Sequence, residues 1–311
     1  GIVSCTSVDE YLEGSIKKHE KTRADKELDR INHVDYCDAN TGPIFLTYKS
    51  MDVISTLSEN WADGHETLFD FTAVDGVCHK VWCIDQQDTI DALVEAFDSV
   101  DALYIADGHH RAASAVKVAQ KRREDNPEFT GDEEFNYFLS VVFPDDQLEI
   151  LDYNRVVKDL NGLSEEAFLD AIAKDFDVVE KSDQPIRPHE KATFGMYLNK
   201  QWYRLAAKEG SYDGKDPVKK LDVAILQDHI LTPILGIEDP RTDNRIDFVG
   251  GIRGLEELER RVGIDMEVAF SMYPTSISEL IDIADADKLM PPKSTWFEPK
   301  LRSGVFIHLL K

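Results

Sequence analysis

The stretch ALYIADGHHRAASAVKVAQKRR, residues 102–123, decides how the chain folds. Leu103, Tyr104 and Ile105 make a short apolar run of the kind that becomes a buried strand, and from Ala112 to Arg123 apolar residues recur at helical spacing. Between them stand Asp107, Gly108, His109, His110 and Arg111, read as the turn that joins strand to helix. A helix start offers unpaired N–H groups and the positive end of the helix dipole, which together hold anions. Gly108 lets a ligand approach the backbone, Arg111 can donate two parallel bonds to a phosphate, and Asp107 suits a magnesium ion or a substrate hydroxyl or ammonium group. The same residues also suit a structural role, with Asp107 capping the helix and the histidines bonded internally.

Working outward, PIFLTY (43–48) and FNYFLSVVFP (135–144) read as strands, and DVISTLSENWADG (52–64) as a helix closed by glycine. ADKELDRINHVDYCDAN (24–40) and TIDALVEAFDSV (89–100) are amphipathic helices. Two β-rich runs flank Asp75-Gly76, a hairpin signal. Residues 160–225 read helix, strand, strand, helix, with the strands on either side of Asn199-Lys200. The pattern predicts an α/β (α+β) protein, and 311 residues suit one large α/β unit or two domains sharing a cleft.

Sixty acidic against 35 basic residues leave a formal charge of −25. Nucleic-acid binding rests on clustered Lys and Arg, so this balance argues for small-molecule partners and against a nucleic acid. No apolar run is long enough to span a bilayer and no basic-then-apolar leader is visible, so neither membrane nor export is expected and the location expected is cytoplasmic. Gly1 stands where a methionine would, ahead of the strand-like IVSCTSV, so a further N-terminal segment is expected. Cys5, Cys37, Cys78 and Cys83 lack C-x-x-C spacing and are expected as reduced, mostly buried thiols rather than disulfides or a zinc site.

The C-terminal MPPKSTWFEPKLRSG (290–304) sets Lys293, Ser294, Thr295, Lys300 and Arg302 in a proline-punctuated segment that cannot be a regular helix. In so acidic a chain this grouping suggests a second anion-binding wall. VGGIRGLEELERR (249–261) places Arg253 behind two glycines at a helix start, where Gly250 and Gly251 serve either anion binding or close packing.

The segments IADGHHRAASA, IKKHEKTRADKE, ANTGPIFLTY, DFVGGIRGLEELE and MPPKSTWFEPKLRSG resemble domain-of-unknown-function family 1015 through nearly the whole chain. More distantly, the order of HE, PIFL and DGHHR is similar to that of the ParB/sulfiredoxin-like superfamily and its free-serine kinases. That resemblance implies a ParB/sulfiredoxin-like mixed sheet with helices as a nucleotide-binding core over residues 1–158, preceded by a further N-terminal part, and a C-terminal α/β portion over 159–311 that closes the site. It matches His19 and Glu20 to a catalytic His-Glu pair, and Asp107, Gly108, His109, His110 and Arg111 to a turn that grips nucleotide phosphates. Sulfiredoxins carry a cysteine where His109 stands, so sulfinic-acid reduction is not expected. Thr22 and Arg23 follow closely enough to meet a carboxylate or phosphate, or simply open a capped helix.

The implied activity is phosphoryl transfer between ATP or ADP, with Mg2+, and a small hydroxy amino acid, serine or phosphoserine, in either direction, with Glu20 as general base. Two other classes stand beside it. One is a nucleotide-binding regulatory or partition-type protein, disfavoured by the charge and by the lack of a basic helix-turn-helix. The other is a metal-dependent phosphatase using Asp107, His109 and His110, disfavoured because adjacent residues point in different directions.

Overall fold

The computed structural model describes every residue except Arg23, and the side chains of all residues except 23–26. The chain divides into two compact units, one formed by residues 1–17, 22–148 and 301–311, the other by 18–21 and 149–300.

The first unit begins with β1 (Ile2–Ser7), α1 (Val8–Glu13), β2 (Ile16–Lys17), α2 (Ala24–Cys37), β3 (Ala39–Asn40) and β4 (Ile44–Tyr48). It continues through α3 (Asp52–Gly64), the hairpin β5 (Phe69–Thr72) and β6 (Cys78–Val81), α4 (Gln87–Phe97), β7 (Leu103–Asp107), α5 (His109–Asp125) and β8 (Tyr137–Pro144). Five strands form one sheet in the order β1-β8-β4-β7-β2. The sheet is mixed: β1 and β8 are antiparallel, β8 and β4 parallel, β4 and β7 antiparallel, and β7 and β2 parallel. Every residue of β4 is buried, as expected of an apolar run at a sheet centre covered on both faces. Ile44, Leu46, Tyr48, Ile105, Phe138 and Val142 from the sheet pack with Ala112, Ala115, Val116 and Ala119 of α5. The small alanines give α5 a narrow face, so it lies close against the strands.

The predicted turn is shorter than its sequence suggested. Asp107 closes β7, Gly108 alone bends the chain, and His109, His110 and Arg111 already belong to the first turn of α5. Gly108 has φ +98° and ψ +27°, a left-handed conformation that glycine takes at no steric cost, so the helix restarts one residue after the strand. The cysteines also depart from expectation. All four are free and all four are exposed. Cys5 lies on β1, an edge strand whose residues alternate in burial, and Cys78 lies on the exposed hairpin, so an apolar neighbourhood in sequence did not mean an interior position.

The second unit comprises β9 (Glu149–Leu151), β10 (Tyr153–Val157), α6 (Glu165–Ile172), β11 (Phe176–Ser182), β12 (Thr193–Leu198), β13 (Gln201–Ala207) and α7 (Asp222–Leu226). After these come β14 (Ile246–Gly250), α8 (Glu256–Val262), β15 (Val268–Ser271), α9 (Ile277–Asp285) and β16 (Trp296–Glu298). Six strands form a sheet in the order β11-β13-β12-β15-β10-β14, with each neighbouring pair antiparallel. The β12–β13 hairpin turns at Asn199 and Lys200, both at positive φ, the backbone a tight two-residue turn requires. α9 is closed at its start by a capping box between Ser276 and Glu279. A short terminal strand, β17 (His308–Leu309), returns to the first unit and pairs with β3.

Candidate functional site

In the first unit the chemistry gathers where β7 runs into α5. α5 is 17 residues long, and its first turn carries His109, His110 and Arg111. His109 is buried, His110 and Asp107 partly so. Arg111 folds back over Gly108: a Cβ there would meet Nη2 at 2.9 Å and Nε at 3.0 Å. The Arg111 Nε is buried and has no hydrogen-bond partner among the described residues. A buried donor left without a partner costs free energy.

Arg111 lines a cleft of about 300 Å³ with Arg30, His33, Thr41, Gly42 and Ser303. That volume is at the small end of ligand clefts, which run to roughly 300–1,000 Å³. Arg30 is engaged with Asp29 at 2.6 Å, and His33 Nε2 is hydrogen-bonded to Thr41 Oγ1 at 3.0 Å. None of Arg30, His33, Thr41 and Ser303 was legible as a site residue. Only tertiary folding brings residues 30–42 and 303 to Arg111.

Glu27 braces the start of α5. Its carboxylate, buried within α2, pairs with Lys117 and accepts from Thr22 Oγ1 at 3.1 Å. The hydrogen bond from Lys117 holds this carboxyl below the usual glutamate range against the opposing effect of burial, and Thr22 adds to the lowering. Ser114 Oγ donates to the carbonyls of His110 and Glu27, at 2.7 and 3.3 Å, and so ties the two helices. Thr22 is therefore held in place by Glu27. Arg23 lies outside the described residues. Arg302 donates to Asp75 and, at 3.3 Å, to His79 Nε2, which fixes it to the β5–β6 hairpin.

The remaining sequence candidates fall in the second unit. His19 is buried and its carbonyl accepts from the Met290 N–H at 2.8 Å, while Glu20 is exposed. Tyr153, Phe248 and Trp296 form an edge-to-face aromatic group, with Lys293 Nζ 5.7 Å from the Tyr153 ring and Lys300 Nζ 4.8 Å from the Trp296 ring. Burial raises the Tyr153 phenol above its ordinary value; Arg155 and Arg253 pull against this, and Asp247 and Glu20 add to it. Glu20 thus belongs to the electrostatic surroundings of this aromatic group.

Arg155, buried beneath the group, donates to the carbonyls of Tyr153, Pro292 and Lys293 and lies 5.3 Å from the Phe248 ring. Burial pulls its guanidinium down to about 10. It pins the loop that presents Lys293, a residue at positive φ. Ser294 is buried and spends its hydroxyl on the Pro291 carbonyl at 2.6 Å, whereas Thr295 is partly exposed. Arg253 is largely exposed, 3.9 Å from Glu257. Gly250 serves packing, since a Cβ there would meet the Trp296 ring at 2.6 Å.

Among the described residues no group of three or more His, Cys, Asp or Glu side chains is placed to hold a metal ion, and no helix is long and apolar enough to cross a membrane.

Among solved structures, SbnI with C-terminal truncation from Staphylococcus aureus is similar at a TM-score of 0.51 and 10% identity, over 99% of this chain and 87% of that one. This likeness is one of fold. A free serine kinase in complex with AMP aligns at a TM-score of 0.44 and 13% identity, over 97% and 90% of the two chains. A mutant free serine kinase in complex with ADP aligns at 0.45 and 14%, over 97% and 91%. No curated protein matches the chain. The family model described as protein of unknown function (DUF1015) matches residues 1–224, most of the sequence, and the chain belongs to that family.

Proposed function

We propose that the protein transfers a phosphoryl group between an adenine nucleotide and a small hydroxy amino acid, serine or phosphoserine. The observation that carries this reading is the Gly108–Arg111 helix start, whose Arg111 lines a cleft with a buried Nε lacking a hydrogen-bond partner among the described residues. The helix-start N–H groups and the Arg111 fork suit the oxygens of a phosphate chain. His109 and His110 stand in the same helical turn. Phosphoryl transfer asks a protein chiefly to position reactants and neutralise developing charge, and this set of groups is built for that task.

Asp107 would hold a nucleotide-borne Mg2+, which when bound would offset phosphate charge. Glu20 acts as the base that takes the hydroxyl proton as the oxygen–phosphorus bond forms, and in the reverse direction it returns that proton. The resemblance of His19-Glu20 and of Asp107–Arg111 to the corresponding motifs of free-serine kinases supports this division of roles, and the −25 charge favours a small-molecule partner over DNA.

The test is to incubate the protein with Mg2+, ATP or ADP, and a pool of amino acids and phospho-amino acids, following phosphorus NMR. Transfer to or from serine is the expected result. Tight DNA binding without turnover of any pair would replace this reading with a partition-type one.

A further inference from the structure

The segment from Leu301 onward belongs to the first unit and runs as a strap along residues 38–42. β17 pairs His308 with Asn40 and Leu309 with Ala39. The Gly304 N–H donates to the Thr41 carbonyl at 3.3 Å and the Leu310 N–H to the Asp38 carbonyl at 3.0 Å. Side chains clamp the strap as well. His308 contacts Asn40 Oδ1 and Glu134 Oε2 through its two ring nitrogens, at 3.3 and 2.7 Å, and Arg122 donates to the Leu310 carbonyl at 3.3 Å. The backbone thus secured delivers Ser303, an exposed residue, to the cleft lined by Arg111, Thr41 and Gly42. A Cβ on Gly42 would lie 3.2 Å from Ser303 Oγ, so the absence of a side chain there makes room for the hydroxyl.

We infer that this strap is an integral wall of the Arg111 cleft and that the Ser303 hydroxyl binds a phosphate oxygen of the ligand directly, alongside the Arg111 guanidinium. The inference rests on the nucleotide reading above and adds to it a binding residue, Ser303, that the sequence did not single out. The chemistry fits: Arg111 brings the charge, and a hydroxyl on a fixed backbone adds a directional donor to an anionic oxygen. A hydrogen bond to a charged group contributes roughly 1.5–3 kcal/mol, equivalent to about 10- to 150-fold in affinity.

The experiment is isothermal titration of ADP, and separately of pyrophosphate, into the wild-type protein, Ser303→Ala and Ser303→Trp, with thermal melts of all three. Ser303→Ala should bind ADP at least tenfold more weakly, and Ser303→Trp, which fills the cleft, should show no measurable binding. Both should melt close to wild type, because an exposed side chain is being changed. Wild-type ADP affinity in both variants would overturn the inference and leave the nucleotide reading standing. Failure of the wild-type protein to bind either ADP or pyrophosphate would bring down both.

Discussion

The guanidinium of Arg111 lies against the bare Cα of Gly108, three residues earlier in the chain, with Nη2 only 2.9 Å from where a Cβ would sit. The glycine therefore does two things, supplying the left-handed bend that ends β7 and leaving the space into which Arg111 folds. Gly108→Ala should lose on both counts. A left-handed alanine costs about 1–2 kcal/mol before any clash is counted. Thermal melts should show a lower midpoint, and ADP titration a loss of tenfold or more in affinity as Arg111 is displaced. An alanine variant that binds ADP as wild type does would show that this packing is irrelevant to the ligand.

Glu20→Gln preserves shape and removes the carboxylate proposed as the base. Turnover should fall by roughly 10²- to 10⁴-fold, the usual contribution of general-base catalysis, while ADP affinity stays near wild type. Phosphorus NMR for turnover and calorimetry for binding separate the two effects. Undiminished turnover would leave Asp107 or the substrate itself to accept the proton.

Asp222 is a buried carboxyl that burial pushes from its ordinary 3.8 up to about 7; Glu279 adds to the rise, while the Ala192 N–H, donated at 2.7 Å, and Lys191 oppose it. Its folded value lies above its unfolded value. The stability it permits is therefore fully present below about pH 4 and is lost as pH rises through about 7. Asp222→Asn keeps an acceptor for Ala192 and cannot ionise. The variant should melt several degrees above wild type at pH 8, with the difference vanishing near pH 4. A pH-independent difference would place the effect elsewhere.

Arg155 satisfies three backbone carbonyls from the interior, so its removal should leave them wanting. Arg155→Met is expected to cost about 1–3 kcal/mol in chemical denaturation, the range for an unsatisfied buried polar group, with Arg155→Lys recovering little because an ammonium lacks the planar fork. Proteolysis within residues 291–300 should also accelerate. A more stable methionine variant would mean that desolvating the cation outweighs the bonds it makes.

The strand-to-helix join was legible because Asp-Gly between an apolar run and a helical repeat has few other local solutions, and the Asp75-Gly76 and Asn199-Lys200 hairpins were legible through the same local turn chemistry. β11 was not. Its FDVVEKS residues are mostly exposed on a sheet edge, so no apolar run or clean alternation announces it. The cysteines misled for the converse reason: an apolar sequence context marks a strand, but on an edge strand such as β1 one face looks outward. Of the cleft, Arg111 could be named from its position behind Gly108, whereas His33, Thr41 and Ser303 belong to it only through tertiary pairing. No local pattern marks a residue whose partner lies hundreds of positions away.

The strap also imposes an order on synthesis. Gly42 leaves the ribosome about 260 residues before Ser303, roughly 13 to 50 seconds earlier at ~5–20 residues per second. In the later part of that interval residues 149–300, the bulk of the second unit, emerge while the first unit still lacks β17 and the cleft lacks Ser303. A nascent or prematurely terminated chain therefore presents the Arg111 turn without the Ser303 side of its cleft, and on the binding role proposed for Ser303 it engages ADP only after translation has passed that residue.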